Sequence, residues 1–393
     1  MNNYFDEALA LHSKFKGKIE VSSKMEVDTK EDLAIVYSPG VAAPCMAIAA
    51  HPEAIYEYTI KGNTVAIVTD GSAVLGLGNI GPQAALPVME GKAMLFKKFA
   101  GIDGFPICLD TQDPDLIIQT VKLIAPVFGG INLEDIAAPN CFYIEQALQE
   151  IGIPVFHDDQ HGTAIVVLAG LINACKLTGR NLKDLKVVIN GAGAAGIAIT
   201  RLLRCVDHYD SGICTPVKEV IICDSTGILH QGRTGLNTVK QLALSYSNHL
   251  NQIGDLRDAL RDADVFIGVS AANILEESHI KSMAKDPIIF ALANPIPEIM
   301  PDLAYAAGAA VVATGRSDLP NQVNNVLGFP GIFRGALDIR AKSISPAMKL
   351  AAAYAIASCV DVISRDSIIP SSFDVRVAYK VAEAVKSVAR QLV

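Results

Sequence analysis

The stretch LKVVINGAGAAGIAITRLLRC, residues 185–205, decides the fold. A short run of β-branched residues runs into Gly191, Gly193 and Gly196, and a helical pattern (194–205) opens inside the glycine loop. Strand, turn and helix in that order let the backbone bend tightly and approach a pyrophosphate held at the helix N-terminus. Gly191, Gly193, Ala194, Ala195 and Gly196 are therefore the candidate cofactor-binding residues. The next strand, EVIIC (219–223), ends at Asp224, where an acid can accept hydrogen bonds from an adenosine ribose. Asp224 comes later than is usual, which implies an insertion around His208 to Pro216. Beyond it there is no Arg or Lys before Arg233. An acid without a nearby cation disfavours a 2′-phosphate, so NAD is favoured over NADP.

Working outward, DVFIGV (264–269), PIIFALA (287–293) and AAVVATG (309–315) read as further short buried strands of a doubly wound sheet. A long apolar helix, Gly162 to Leu177, precedes this region. Ser345-Pro346 is a good cap and first-turn pair for a helix from Ala347 to Ile363, and Asp374 caps a last helix to Leu392. Upstream, TVAIVTD (64–70) and GFPICLD (104–110) read as strands with a helix from Ala84 to Ala100 between them, the order of a parallel βαβ unit. Residues 1 to about 25 read as a helix and a short connection. The fold class is α/β. An N-terminal α/β substrate domain spans 1–160, followed by a doubly wound Rossmann NAD-binding domain with C-terminal helices, 161–393.

Composition excludes several classes. Just over half of the 393 residues are apolar and 19% are charged, as in a compact enzyme rather than a disordered chain. A net charge of −8 and a pI near 5.5, with no basic stripe, argue against a nucleic-acid partner. The longest apolar run, Thr163 to Cys175, is too short to span a bilayer. The N-terminus carries acids and no apolar secretory core, so a cytoplasmic protein is expected. The eight cysteines are scattered without a CxxC pair and read as reduced thiols in apolar segments.

A second GxGxxG match, Gly76-Gly78-Gly81 in TDGSAVLGLGNIG, is separated from its strand and reads as a structural turn or a loop near substrate. Two acid pairs carry more chemistry. Glu134-Asp135 lies in INLEDIAAPN, and Asp158-Asp159 in VFHDDQHGTA follows the strand-like run Ile151 to Phe156. Four carboxylates brought together repel unless a divalent cation lies between them, and oxygen donors suit Mg²⁺ or Mn²⁺. Lys92, in PVMEGKAMLFKKFAG, sits upstream of an apolar stretch. It is either a surface lysine or a desolvated one whose lowered pKa makes it a base. Tyr37, in AIVYSPGVAAPC, follows an apolar strand-like run and reads by default as a buried structural tyrosine.

Taken together, YSPGVA, TDGSAVLGLGNIG, EGKAMLFKKFAGI, LEDI, HDDQHGTA, NGAGAAG, ALANP and NQVNNVLGFPGIFRGAL resemble the malic enzymes in their short bacterial-type form, from about residue 15 onward. The resemblance implies that Glu134, Asp135 and Asp159 ligate the metal and that Asp158 stands beside Lys92 instead. It implies Lys92 as the base for the malate hydroxyl and Tyr37 as the acid that protonates the enol. Asn294 and Asn325 would contact substrate or nicotinamide, with Asn324 adjacent. The reaction implied is oxidation of malate by NAD(P), then loss of CO₂ to give pyruvate, with Mg²⁺ or Mn²⁺.

Two departures stand out. Larger members of the family carry a carboxylate-binding arginine in the TDG loop, where this chain has Ala73. Some bacterial relatives extend into a phosphotransacetylase-like domain, and regulation through one is not expected here. The alternatives are a malolactic enzyme, which retains NADH and releases lactate, and a non-catalytic NAD sensor. Likeness to the family also implies a homodimer, with no nucleic-acid or membrane partner.

Overall fold

The computed structural model describes residues 2–74, 76–207 and 214–391, and the expected insertion falls largely outside them. Two parallel sheets organise the chain. The first contains β1 (Thr64–Thr69), β2 (Asp103–Cys108), β3 (Gly130–Leu133) and β4 (Val155–His157), in the order β2-β1-β3-β4. All of β1 is buried, as expected of a parallel strand covered on both faces. The helix Gly81–Ala100 joins β1 to β2 and ends at Gly101, whose φ of 66° suits a left-handed C-cap.

The second sheet contains β5 (Lys186–Asn190), β6 (Glu219–Asp224), β7 (Gly227–Ile228), β8 (Val265–Gly268), β9 (Ile288–Ala291) and β10 (Val311–Thr314). Its order is β10-β9-β8-β5-β6-β7, parallel except for the short β7. Strand order reverses between β5 and β8 here, and between β1 and β3 in the first sheet. Ligands bind at such reversals, beyond the carboxyl ends of the strands.

One core spans both sheets. The helix Asp158–Thr178 is buried along most of its length. Length and composition alone would let it cross a membrane, contrary to the sequence expectation, but its apolar surface is spent on this core. The helix Phe329–Asp338, from the C-terminal region, reaches back to the first sheet. Its Phe329 and Phe333 pack edge-on to Phe96 at 4.7 and 5.4 Å between centroids, and Phe333 lies 6.0 Å from Phe156. Such pairs add to the roughly 1.5–3 kcal/mol gained by burying each ring.

Several expectations need correction. Within the run 151–156 only Val155 and Phe156 belong to a strand, Val155–His157, which is shorter than expected; Asp158 and Asp159 stand at its C-terminal end, as expected, and open the following helix. Residues 30–36 form a helix, not a strand, because Thr29 and Asp32 make a capping box whose backbone bonds outweigh the β-branched run. Tyr37 caps that helix and is 68% exposed, so it is not a buried structural residue in the single chain. Cys205 and Cys214 are joined in a disulfide, although their separation of nine residues shows no motif. The N-terminal helix (Asn2–Phe15) leaves Tyr4, Phe5, Leu9 and Phe15 exposed, and Leu33, Ile35 and Met46 are exposed in the helices that follow.

Candidate active site

The carboxyl ends of β1, β3 and β4 bring acids together at the first sheet's reversal point. Asp70 follows β1, Glu134 and Asp135 follow β3, and Asp158 and Asp159 follow β4. Asp135 has φ 54°, a left-handed conformation uncommon for a residue other than glycine, which turns the chain sharply after Glu134. That turn is held on both sides: Ala73 N–H donates to Asp135 O at 2.9 Å, and Asp135 N–H donates to Asp159 Oδ2 at 2.8 Å. The Ala73 position therefore serves the acid loop through its backbone.

Lys92 enters this cluster from the Gly81–Ala100 helix, one turn along from the buried Met89 and two from Ala85. Its Nζ pairs with Asp158 Oδ2 and lies 2.8 Å from Glu134 Oε1. The Phe329 ring lies 4.2 Å from the same nitrogen. Of the alternatives open in the sequence, the buried lysine holds, but its pKa moves opposite to the expected direction. Burial pushes it down, yet Asp158 and Glu134 outweigh burial, so the group is raised and rests as an ammonium.

Asp158 is the hub. Its Oδ2 also accepts from Asn325 Nδ2 at 3.1 Å, and Asn325 Oδ1 accepts from Thr163 Oγ1 at 3.2 Å. Its Oδ1 is buried without a partner. A Cβ at Gly162 would overlap that oxygen, so glycine is required one turn along the helix. Strand and helix are pinned at this junction by Glu145, which lies 2.8 Å from His161 Nε2 and accepts from His157 N–H at 3.3 Å.

Glu134, Asp135 and Asp159 each offer an oxygen, all within 4.8 Å of one another. Asp135 Oδ2 is buried with no hydrogen-bond partner. Burial, then the Asp159 charge, pushes the Asp135 carboxyl up to about 8 against the opposing pull of Lys92. Glu134 is raised as well, by burial first and by the neighbouring acids, with Lys92 opposing. A cluster with more carboxylates than cations and an orphaned buried oxygen fits a divalent cation.

Facing this cluster is the second sheet's carboxyl edge. Gly191 has φ 125°, and a Cβ there would sit 2.6 Å from Val269 O; one at Gly196 would overlap Gly191 O. At Gly193 nothing lies within 4 Å of the Cβ position, which leaves room for a ligand to approach the backbone. Ala194 and Ala195 start the helix Ala194–Leu203. Asn294, after β9, is half-buried; its carbonyl oxygen lies 2.7 Å from the Cβ position of Gly76, so the first glycine loop meets the second sheet's edge.

Asp224 is not the isolated acid that the sequence implied. Its Oδ1 accepts from Arg233 Nη2 at 2.6 Å and Thr226 N–H at 3.0 Å, and its Oδ2 from Lys240 Nζ at 2.7 Å. Burial raises this carboxyl, but those bonds prevail and hold it at about 2. The premise for disfavouring a 2′-phosphate, an acid without a nearby cation, therefore does not hold.

The structure thus brings together Lys92, Glu134, Asp135, Asp158, Asp159 and Asn325. Among the described residues, no hydrogen bond or ion pair joins Tyr37 to them. Residues not singled out from sequence include Asn132, whose Nδ2 donates to Glu134 Oε2 at 2.8 Å. Its signal was position, two residues before Glu134 and so on the same strand face. Phe329, Glu145, Arg233 and Lys240 carried no local signal.

Comparison with known proteins agrees with this geometry. Residues 16–149 match the malic enzyme N-terminal domain and residues 160–390 the malic enzyme NAD-binding domain. The chain is 60% identical to a bifunctional malic/malolactic enzyme of Bacillus subtilis (strain 168), over 98% of this chain and 93% of the relative. It is 56% identical to an NAD-dependent malic enzyme of Geobacillus stearothermophilus, over 98% and 78%. The crystal structure of an NAD-dependent malic enzyme from Thermotoga maritima superposes with a TM-score of 0.91 at 52% identity, covering 96% of this chain and 98% of that one. The chain belongs to the malic enzyme family.

Proposed function

We propose that this chain oxidises malate with NAD(P) and decarboxylates the product to pyruvate. The observation that carries the reading is Lys92, buried between Asp158 and Glu134, with Glu134, Asp135 and Asp159 each offering an oxygen within 4.8 Å of the others.

Glu134, Asp135 and Asp159 would hold a divalent cation, with Mg²⁺ and Mn²⁺ the best match to an all-oxygen set. That cation, when bound, supplies Lewis acidity at the hydroxyl and carboxylate oxygens of malate. The Gly191–Gly196 loop would seat the dinucleotide, which supplies the hydride acceptor.

Lys92 rests as an ammonium, so it takes a proton from the malate hydroxyl only as it passes one on. Asp158 Oδ2 is in contact to receive it. The lysine is therefore a relay: Nζ gives a proton to the Asp158 carboxylate, and the lone pair this frees takes the proton of the malate hydroxyl. Asn325 and Gly162 hold Asp158 in place for this transfer. Asn294, at the meeting of the two glycine-loop edges, is positioned to contact substrate or nicotinamide. Tyr37 would return a proton to C3. It stands in an exposed apolar N-terminal region, and a homodimer that buries this region completes the site.

The test is turnover of malate with dinucleotide and Mn²⁺. Reduced nicotinamide and pyruvate in equal amounts support the reading; lactate without reduced nicotinamide would establish the malolactic reaction instead.

A further inference from the structure

One buried acid lies apart from the cluster at the first sheet. Glu298, in the loop between β9 and the helix Pro301–Ala306, is 0% exposed. An acid so buried is ordinarily paired with a cation. Glu298 has no ion pair among the described residues, and its partners are backbone N–H groups. Its Oε2 accepts from Ala293 N–H at 3.0 Å and its Oε1 from Ser270 N–H at 3.3 Å. Burial pushes the carboxyl above its usual range, with the backbone donors at Ala293, Glu298 itself and Ser270 opposing.

Ala293 and Ser270 lie in the segments that leave β9 and β8, so one carboxylate joins the carboxyl ends of two neighbouring strands. The backbone repeats the join: Leu275 N–H donates to Glu298 O at 3.0 Å, and Asn273 N–H to Pro297 O at 3.1 Å. Space is reserved for the side chain, since a Cβ at Gly268 would sit 2.3 Å from Glu298 Oε1. The brace reaches β5 as well, because Asn190 Nδ2 donates to Ser270 Oγ at 2.6 Å. Asn294 is the residue after Ala293 and is held by the same brace. A Cβ at Gly315 would sit 2.4 Å from its Nδ2, which closes the other side.

We propose that Glu298 is a positioning residue for hydride transfer, acting through the two loops that it ties together beneath the nicotinamide half of the dinucleotide. In this fold the dinucleotide crosses the reversal point, with adenosine toward β6 and nicotinamide on the other side of β5. That other side is β8 and β9, whose ends Glu298 joins. Both carboxylate oxygens are used, one for each loop. A loop whose N–H loses its acceptor shifts toward another partner, and Asn294 shifts with it. This inference rests on the glycine loop being the dinucleotide site and on malate oxidation being the reaction.

The experiment compares wild type with Glu298→Gln, which keeps the volume of the side chain but offers one acceptor oxygen in place of two. Calorimetric titration of the full chain with 5′-ADP reports the adenosine half and counts the folded sites. Steady-state turnover with malate, NAD⁺ and Mn²⁺, repeated with malate deuterated at C2, reports hydride transfer. Glu298→Gln should bind 5′-ADP within about threefold of wild type. Its kcat per site should fall about 10–100-fold, the scale of a displacement near 1 Å, with a deuterium isotope effect at least as large as that of wild type. Should the glutamine variant not fold, Glu298→Asp takes its place with the same expectation, because its stem is too short to hold both loops. A merely structural residue would lower the melting temperature and the number of 5′-ADP sites and leave kcat per site within about threefold, which overturns the proposal. A smaller isotope effect, or 5′-ADP binding weakened as much as turnover, overturns it too. A wild type that binds 5′-ADP without oxidising malate overturns the proposed function and this inference together, and one that does not bind 5′-ADP overturns the dinucleotide site on which both rest.

Discussion

Asn325 Nδ2 lies 3.1 Å from Asp158 Oδ2, the same oxygen that pairs with Lys92 Nζ. Asn325 follows β10 and Lys92 precedes β2, so the bond couples the two sheets through one carboxylate. Removing it frees Asp158 to rotate. Asn325→Ala should lower kcat by about 10–100-fold, the equivalent of one charge-assisted bond, with Mn²⁺ affinity unchanged. Steady-state kinetics alongside Mn²⁺ titration separates the two effects.

Asp158 and Asp159 are adjacent in sequence but should fail differently. Asp159→Asn should weaken Mn²⁺ binding, because it removes one of three clustered oxygens. Asp158→Asn should leave metal affinity nearly intact and cost about 10²–10⁴ in turnover, the usual range for a proton-transfer group. Equal losses of metal affinity in both variants would make Asp158 a ligand instead.

Asp135 gives the metal-free protein a pH dependence. Its carboxyl is raised from 3.8 to about 8 in the fold, so the stability it allows is complete below about pH 4 and is lost as pH rises through about 8. Asp135→Asn should flatten that decline in melting temperature. Asparagine also tolerates the left-handed φ at this position, which keeps the turn intact. Mn²⁺ displaces the proton, so affinity should climb over the same pH range, with proton release visible in calorimetry.

The exposed N-terminal face predicts self-association. Ile35→Asp should cost a monomer little, since the side chain is 65% exposed, but should dissociate a dimer that buries it. Sedimentation velocity measures this directly, and an unchanged sedimentation coefficient would place the interface elsewhere.

What could be read beforehand follows from locality. The glycine loop, the acids after β3 and β4 and the C-terminal helices depend on neighbours in sequence, through capping, turn geometry and apolar runs. Lys92 could be read as either a surface or a desolvated lysine, and both its burial and the sign of its shift depend on contacts such as Asp158, 66 residues away. Asp224 was misjudged for the same reason: Arg233 and Lys240 reach it only because the chain folds back after β7. Residues 30–36 looked like a strand because their apolar run masked the Thr29–Asp32 capping box. The disulfide between Cys205 and Cys214 has no pattern that distinguishes it from two thiols.

The central claim is that Lys92 moves the malate proton and does not merely hold the fold. Lys92→Ala tests it most directly, with malate oxidation and nucleotide binding measured on the same preparation. The account predicts that oxidation is abolished while 5′-ADP and Mn²⁺ still bind. Retained oxidation, or loss of 5′-ADP binding with it, would contradict the account and make Lys92 a structural residue.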